Sequence, residues 1–147
     1  MKRIYSIEEA CIGCHLCEVA CITEHSLSKD PVKAFMYEAE RPIARCKVEE
    51  RDGGVISIST NCRHCDQPDC LQACISGAIQ KQADGRVLVD INKCVGCWSC
   101  VMACPFGAVQ RNLKKKKANK CDLCPDREIP ACVAACPNRA LVYREGE

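Results

Sequence analysis

The sequence predicts an α+β domain made of two fused, pseudo-symmetric modules with short helices and short hairpins. Three observations lead to this prediction: one cysteine motif occurs four times, Asp-Gly turns separate short apolar segments, and each motif ends in a short helix-like segment. Repetition of a motif along a chain is the signature of a repeated structural unit. The length of 147 residues suits one compact domain, so residues 1–147 are expected to fold together.

Sixteen of the 17 cysteines fall into four runs of four. The first and third runs have the spacing C-x2-C-x2-C-x3-C, whereas the second and fourth contain longer gaps. The runs are Cys11, Cys14, Cys17 and Cys21; Cys62, Cys65, Cys70 and Cys74; Cys94, Cys97, Cys100 and Cys104; and Cys121, Cys124, Cys132 and Cys136. Pro105 follows the third run and Pro137 follows the fourth. The third run therefore matches the bacterial pattern for binding iron–sulfur clusters.

Two hairpins are predicted from turn residues. Asp84-Gly85 separates the apolar segment that follows Cys74 from the strand Val87–Val89, and Asp-Gly is a typical hairpin turn. A second hairpin is expected around 52–54, because residues 55–59 alternate apolar and small polar side chains.

Short helical turns are predicted to end at the last cysteine of each run, and prolines stop two of them. Residues 26–45 are expected to form a partly helical excursion that covers one face. Residues 105–120 are expected to form a short basic loop between the third and fourth runs.

The spacing favours [4Fe–4S] clusters over zinc. A cubane cluster needs four thiolates, and in two-cluster proteins the fourth cysteine of one run binds the cluster of another. The runs should therefore work in pairs. Zinc sites usually consist of two C-x2-C pairs that lie a dozen or more residues apart, which is a looser arrangement than these runs. Zinc or a [3Fe–4S] cluster in one of the less regular sites stays open as an alternative.

Composition limits the other function classes. No signal peptide is recognised in residues 1–11, so the thiols are expected to stay reduced and the protein to be cytoplasmic. No apolar stretch is long enough for a membrane span. The formal charge is +2 with neutral cysteines, but four oxidised clusters would bring it to about −6. The basic residues therefore do not indicate nucleic-acid binding.

The roles of several residues other than these sixteen cysteines stay open. Cys46 is expected to be a small buried residue, or alternatively a contact near a cluster or partner. His15 and His64 lie inside cysteine loops, where they pack or hydrogen-bond a cluster sulfur. The lysine run 114–117 is a solvated loop, a docking patch for an acidic partner, or compensation for the cluster charge.

The order of the four runs, with the segments CRHCDQPDC (62–70) and CDLCPDR (121–127), resembles a known family. This is the family of four-cluster electron-transfer subunits of anaerobic redox enzymes, of the dimethyl sulfoxide reductase iron–sulfur subunit type. The segments PIARCK (42–47) and CWSCVMACPFG (97–107) resemble in particular the ferredoxin-like subunit that accompanies carbon monoxide dehydrogenase. The resemblance covers nearly the whole chain.

In that family the first run pairs with the fourth and the second with the third. The resemblance therefore implies two ferredoxin-like modules: module A, approximately 1–45 plus 118–147, and module B, approximately 46–117. The implied ligand sets are Cys11, Cys14, Cys17 and Cys136 (set 1); Cys121, Cys124, Cys132 and Cys21 (set 2); Cys62, Cys65, Cys70 and Cys104 (set 3); and Cys94, Cys97, Cys100 and Cys74 (set 4).

The function expected from the resemblance is electron transfer through four [4Fe–4S] clusters, without a substrate site in this chain. The partners would be carbon monoxide dehydrogenase and an acceptor oxidoreductase or hydrogenase. Alternatively, the chain is the iron–sulfur subunit of a formate dehydrogenase, an aldehyde oxidoreductase or a hydrogenase. A cluster-based redox sensor is disfavoured because no DNA-binding helix is recognised. The alternative from another class of function is a zinc-stabilised interaction module.

Overall fold

The computed structural model describes residues 1–146, which form short strands and short helices without a large central sheet. The strands are β1 (Lys2–Ser6), β2 (Lys47–Arg51), β3 (Ile56–Thr60), β4 (Ile79–Lys81), β5 (Val87–Val89), β6 (Gln110–Asn112), β7 (Lys117–Asn119) and β8 (Leu141–Glu145). The helices are α1 (Leu16–Glu24), α2 (Pro31–Met36), α3 (Asp69–Gln72), α4 (Ser99–Ala103) and α5 (Ala131–Ala134). This architecture confirms the predicted α+β class with short helices and small antiparallel hairpins.

The described strands pair into four two-stranded antiparallel sheets: β1 with β8, β2 with β3, β4 with β5, and β6 with β7. The first sheet joins the two ends of the chain, in a register from Lys2 opposite Glu145 to Ser6 opposite Leu141. Ile4 points from this sheet into the core, together with Leu141. Sequence analysis did not identify β1, because its five residues contain only one strongly buried apolar side chain.

Both hairpins predicted from turn residues are present. The β4–β5 hairpin turns at Asp84-Gly85, where Gly85 has a φ of +90° that a side chain would strain. The β2–β3 hairpin turns through a short 3-10 segment, Asp52–Gly54. Turn chemistry therefore located the two hairpins correctly.

The basic loop predicted for residues 105–120 is wrong in part, because this segment contains the β6–β7 hairpin. The turn at residues 113–116 holds three of the four consecutive lysines, while the fourth, Lys117, lies in β7. Ala118 of β7 packs into the core beside Val87 and Val109. The Lys117 ammonium donates a hydrogen bond to the carbonyl oxygen of Cys94. Contacts with the third cysteine run thus stabilise β7, which the sequence analysis predicted to be part of a basic loop.

Four of the helices begin inside a cysteine run and end near its last cysteine, as predicted. Helix α1 is longer than expected and continues beyond Cys21 to Glu24. The remaining helix, α2, confirms the partly helical excursion in residues 26–45. It begins with Pro31, and the Asp30 side chain accepts a hydrogen bond from the Lys33 amide (2.9 Å), which is a typical N-cap.

The helices pack in pairs, α1 against α5 and α3 against α4. Two apolar clusters form the core, one around Ile4 and Leu141 and the other around Val87 and Ile79. Cysteines make up much of both clusters, and large aromatic side chains are absent from their buried residues within 1–146. No helix in the described part of the chain is long and apolar enough to cross a membrane.

Candidate metal centres

The first cysteine run and the end of the fourth line one cavity. Cys11, Cys14, Cys17 and Cys136 surround an empty volume of about 330 Å³, which opens to solvent. Helix α1 positions Cys17, and the loop before it positions Cys11 and Cys14. Within that loop Gly13 and His15 have φ of +65° and +59°, so the chain reverses direction and the thiols converge.

A second cavity, with an empty volume of about 360 Å³, is lined by the cysteines of set 3 and by Lys120. A third cavity, of about 320 Å³, is lined by those of set 4. Each combines three cysteines of one run with the last cysteine of another.

The cysteines of set 2 also lie close together in the core. The pKa of the Cys124 thiol is raised to about 11, mainly by burial and to a smaller extent by the charges of Asp122, Cys132 and Cys21. Burial also raises the pKa of Cys121, with contributions from Cys132 and Cys21. Buried thiols that crowd together in this way resist ionisation, and a metal ion offsets the penalty because it neutralises their thiolates.

Backbone amides donate hydrogen bonds to cysteine sulfurs in every set. The pairs are Arg45 N to Cys21 (3.2 Å), His64 N to Cys62 (3.4 Å), Ala118 N to Cys94 (3.5 Å), Leu123 N to Cys121 (3.4 Å) and Ala140 N to Cys136 (3.2 Å). Sulfur ligands that carry negative charge are stabilised by such donors, which also tune a bound metal. All-sulfur sets of four with amide donors fit a [4Fe–4S] cluster.

Cys46 is buried (3% exposed) against thiols from two sets. Hydrogen bonding with Cys132, and then with Cys17 and Cys21, raises the pKa of the Cys46 thiol. Both interpretations of Cys46 therefore apply, because it is a small buried residue and also a contact near the metal centres.

The histidines differ in their surroundings. His15 is half-exposed and hydrogen-bonds Glu18 (2.9 Å) and Glu50 (3.3 Å), so it faces solvent and two carboxylates. His64 is buried, and its Nδ1 accepts a hydrogen bond from the Val87 amide (2.9 Å). Neither is needed to complete a set of four ligands, because the cavity beside each histidine is already lined by four cysteines.

His25, Asp122 and Arg45 form a polar network beside the cysteines of set 2, which the sequence analysis missed. His25 Nε2 lies 3.1 Å from Asp122 Oδ1, and the Arg45 guanidinium lies 2.5 Å from Asp122 Oδ2. Burial opposes ionisation of Asp122, but the hydrogen bond with His25 and the charge of Arg45 together lower its pKa. Burial also opposes ionisation of His25, which by itself would lower its pKa. Hydrogen bonds to Asp122 and Cys21 outweigh this effect and raise the pKa of His25 to about 10. These residues hold the backbone around Cys21 and Cys124.

Cys14 and Cys97 are exposed, whereas the other fourteen cysteines of the runs are buried or half-buried. Cys14 belongs to the cavity of set 1 and Cys97 to the cavity of set 4. Two of the cavities therefore have one thiol that is accessible from solvent.

Residues 54–145 match the family described as a 4Fe-4S dicluster domain. Electron transport protein HydN of Escherichia coli (strain K12) is 40% identical to this chain over 90% of it and 81% of HydN. The B subunit of anaerobic dimethyl sulfoxide reductase from the same strain is 41% identical over 90% of this chain and 68% of that protein.

Among solved structures, a component of the active site complex BamBC of benzoyl coenzyme A reductase, in complex with benzoyl-CoA, superimposes with a TM-score of 0.50. That match has 25% identity and covers 100% of this chain and 82% of the other. Together with the sequence matches, it agrees with the ferredoxin-like arrangement of short helices and hairpins. The comparisons confirm the predicted cofactor, and the chain belongs to the 4Fe-4S dicluster domain family of electron-transfer iron–sulfur proteins.

Proposed function

We propose that this chain carries single electrons between carbon monoxide dehydrogenase and an acceptor oxidoreductase or hydrogenase. The observation that carries the proposal is that three cavities are each lined by four cysteines, three from one run and the last from another. When bound, each [4Fe–4S] cluster would supply a one-electron redox centre. The residues of the chain would hold these centres, exclude water from them and present two of them to partners.

The proposed ligand sets are sets 1 to 4 as defined above. Three of these sets line cavities of their own, which supports the assignment. The packing of α1 on α5 and of α3 on α4 supports two modules, because each helix pair joins the two runs of one module. Module A would then comprise approximately 1–45 plus 118–147, and module B approximately 46–117, in a pseudo-symmetric fusion.

Contacts between neighbouring sets support a linear row. Cys46 lies against Cys17 of set 1 and against Cys21 and Cys132 of set 2. Cys62 of set 3 contributes to the raised pKa of Cys121 in set 2.

The pKa of Cys70, in set 3, is raised to about 11, mainly by burial. The charge of Cys100, in set 4, contributes to this increase. These interactions support the order 1, 2, 3, 4, in which each proposed set has the next as its neighbour. The exposed thiols, Cys14 and Cys97, would then stand at opposite ends of this row, where electrons would enter and leave.

The proposal assigns no substrate site to the chain, and it places the protein in the cytoplasm. A second candidate is the iron–sulfur subunit of a formate dehydrogenase, an aldehyde oxidoreductase or a hydrogenase. One relative is a subunit of an anaerobic reductase, so members of this family serve enzymes other than carbon monoxide dehydrogenase.

A reduction assay with two donors distinguishes the candidates. The holoprotein, purified anaerobically, would be mixed with carbon monoxide dehydrogenase and CO, or with formate dehydrogenase and formate. We expect faster bleaching of the visible cluster absorbance with the first donor. Reduction by formate dehydrogenase alone would contradict the proposed partner and support the second candidate.

A further inference from the structure

Lys120 is a buried lysine whose ammonium contacts a cysteine sulfur. The residue is 6% exposed, and its Nζ lies 2.9 Å from Cys62 Sγ and 2.6 Å from the carbonyl oxygen of Val87. Burying an ammonium is unfavourable unless a negative group and hydrogen-bond acceptors compensate for the lost water. The Cys62 thiolate is the negative group that Lys120 contacts.

The surroundings of Lys120 fix the position of its ammonium. His64 is buried beside it (1% exposed), and burial followed by the charge of Lys120 lowers the pKa of His64 to about 3. The Val87 amide donates to His64 Nδ1, so a neutral His64 carries its proton on Nε2, which has no hydrogen-bond partner among residues 1–146. Val87 thus anchors the side chain of His64 through its amide and the side chain of Lys120 through its carbonyl oxygen. His64 and Lys120 also line the cavity of set 3.

The sequence position of Lys120 places it between two metal centres. It directly precedes Cys121 of set 2, while its side chain reaches Cys62 of set 3. Cys62 and Cys121 also belong to the same cluster of buried core residues. Lys120 therefore lies at the junction of the two central sets.

We propose that Lys120 raises the reduction potential of the cluster held by set 3, acting through Cys62 as a positioning residue and not as a ligand. The inference rests on the proposed ligand sets. A reduced cluster carries one more negative charge than an oxidised one, so a fixed cation beside it favours the reduced state. Charge-assisted hydrogen bonds are roughly twice as strong as neutral ones, so the ammonium has a larger effect than the amide donors.

The test compares Lys120→Gln with Lys120→Arg in the holoprotein. Glutamine can still donate a hydrogen bond but carries no charge, whereas arginine keeps the charge. The readout is an EPR-monitored redox titration, in which the set 3 signal is assigned as the one lost in Cys62→Ser. Iron is measured in every sample.

We expect Lys120→Gln to keep its iron and to lower the midpoint potential of this one cluster. The expected change is about tenfold in the ratio of reduced to oxidised cluster, which corresponds to about 59 mV for a one-electron couple. Lys120→Arg should stay near the wild-type potential. Lys117→Met is the matched control, because Lys117 donates to a backbone carbonyl at set 4 and should leave the set 3 potential unchanged.

Three results would overturn the inference. An unchanged potential in Lys120→Gln with full iron would show that the charge has no effect. An equal decrease in Lys120→Arg would show that charge is not the property that matters. Loss of the cluster from Lys120→Gln would show that the ammonium holds the site instead of tuning it. Failure of the proposed ligand sets is distinguishable, since it would appear as fewer than four clusters in the unmodified protein, and failure of the proposed partner would appear as reduction by formate dehydrogenase alone.

Discussion

Replacing Gly96 with alanine should detach the third cysteine loop from the β6–β7 hairpin. Gly96 lies between Cys94 and Cys97, with a φ of +71°. A Cβ atom at this position would lie 2.2 Å from the carbonyl oxygen of Lys116, in the turn of the hairpin. That distance is far inside van der Waals contact, and the obstacle is backbone, so the loop or the hairpin has to move.

Two costs add in Gly96→Ala. A left-handed backbone costs a residue with a side chain about 1–2 kcal/mol. The overlap with the Lys116 carbonyl adds about 1–3 kcal/mol, which is the usual cost of overpacking. Gly107→Ala is the matched control: Gly107 has a φ of +61°, and a Cβ atom there would meet nothing within 4 Å. The control therefore carries only the backbone cost.

The assay follows the emission of Trp98, the only tryptophan, which lines the cavity of set 4. A cluster in this cavity quenches the emission, so release of the cluster in urea increases it. If the overlap cost of about 1–3 kcal/mol is expressed in the rate of release, Gly96→Ala loses its cluster roughly 5-fold to 150-fold faster than Gly107→Ala. Equal rates in the two variants would refute the packing of the hairpin on this loop.

Three further predictions concern the metal centres and their surroundings. Cys94→Ser should remove one cluster, or about four iron atoms per chain; full iron content with undiminished electron transfer would refute the ligand assignment. Cys46→Ala should leave the iron content unchanged, since the four sets are complete without Cys46; loss of about four iron atoms would make it a ligand. Neutralising the exposed lysines 114–116 should slow electron transfer with an acidic partner at low salt and leave the rate at high salt unaltered, because salt screens exposed charges. Lys33→Gln, on α2, is the control, and an equal effect there would assign the slowing to net charge alone.

The sequence predicted those parts of the fold that depend on local chemistry. The hairpin at Asp84-Gly85 follows from the turn residues, and the cysteine spacing predicted loops that direct several thiols toward one point. Strand β1 was missed because its stability comes from pairing with β8, at the other end of the chain. The β6–β7 hairpin was missed because its lysines resemble a solvated loop, and only the contact of Lys117 with Cys94 shows otherwise.

The surroundings of the proposed metal centres were not predicted from the sequence. A lysine before a cysteine usually points to solvent, so the sequence did not indicate that Lys120 is buried against Cys62. The adjacency of Lys120 and Asp122 to Cys121 was the one available signal. Neither the contacts of Cys46 nor the order of the sets can be obtained from spacing, because both depend on which runs meet in the folded chain.

The content of iron and acid-labile sulfide per chain tests the central claim most directly. The measurement requires anaerobically purified protein, followed by EPR spectroscopy after reduction with dithionite. Four all-cysteine sets predict about sixteen iron and sixteen sulfide per chain, with magnetically coupled [4Fe–4S] signals. About eight of each would mean that only two sets hold clusters, and stoichiometric zinc with little iron would contradict electron transfer altogether.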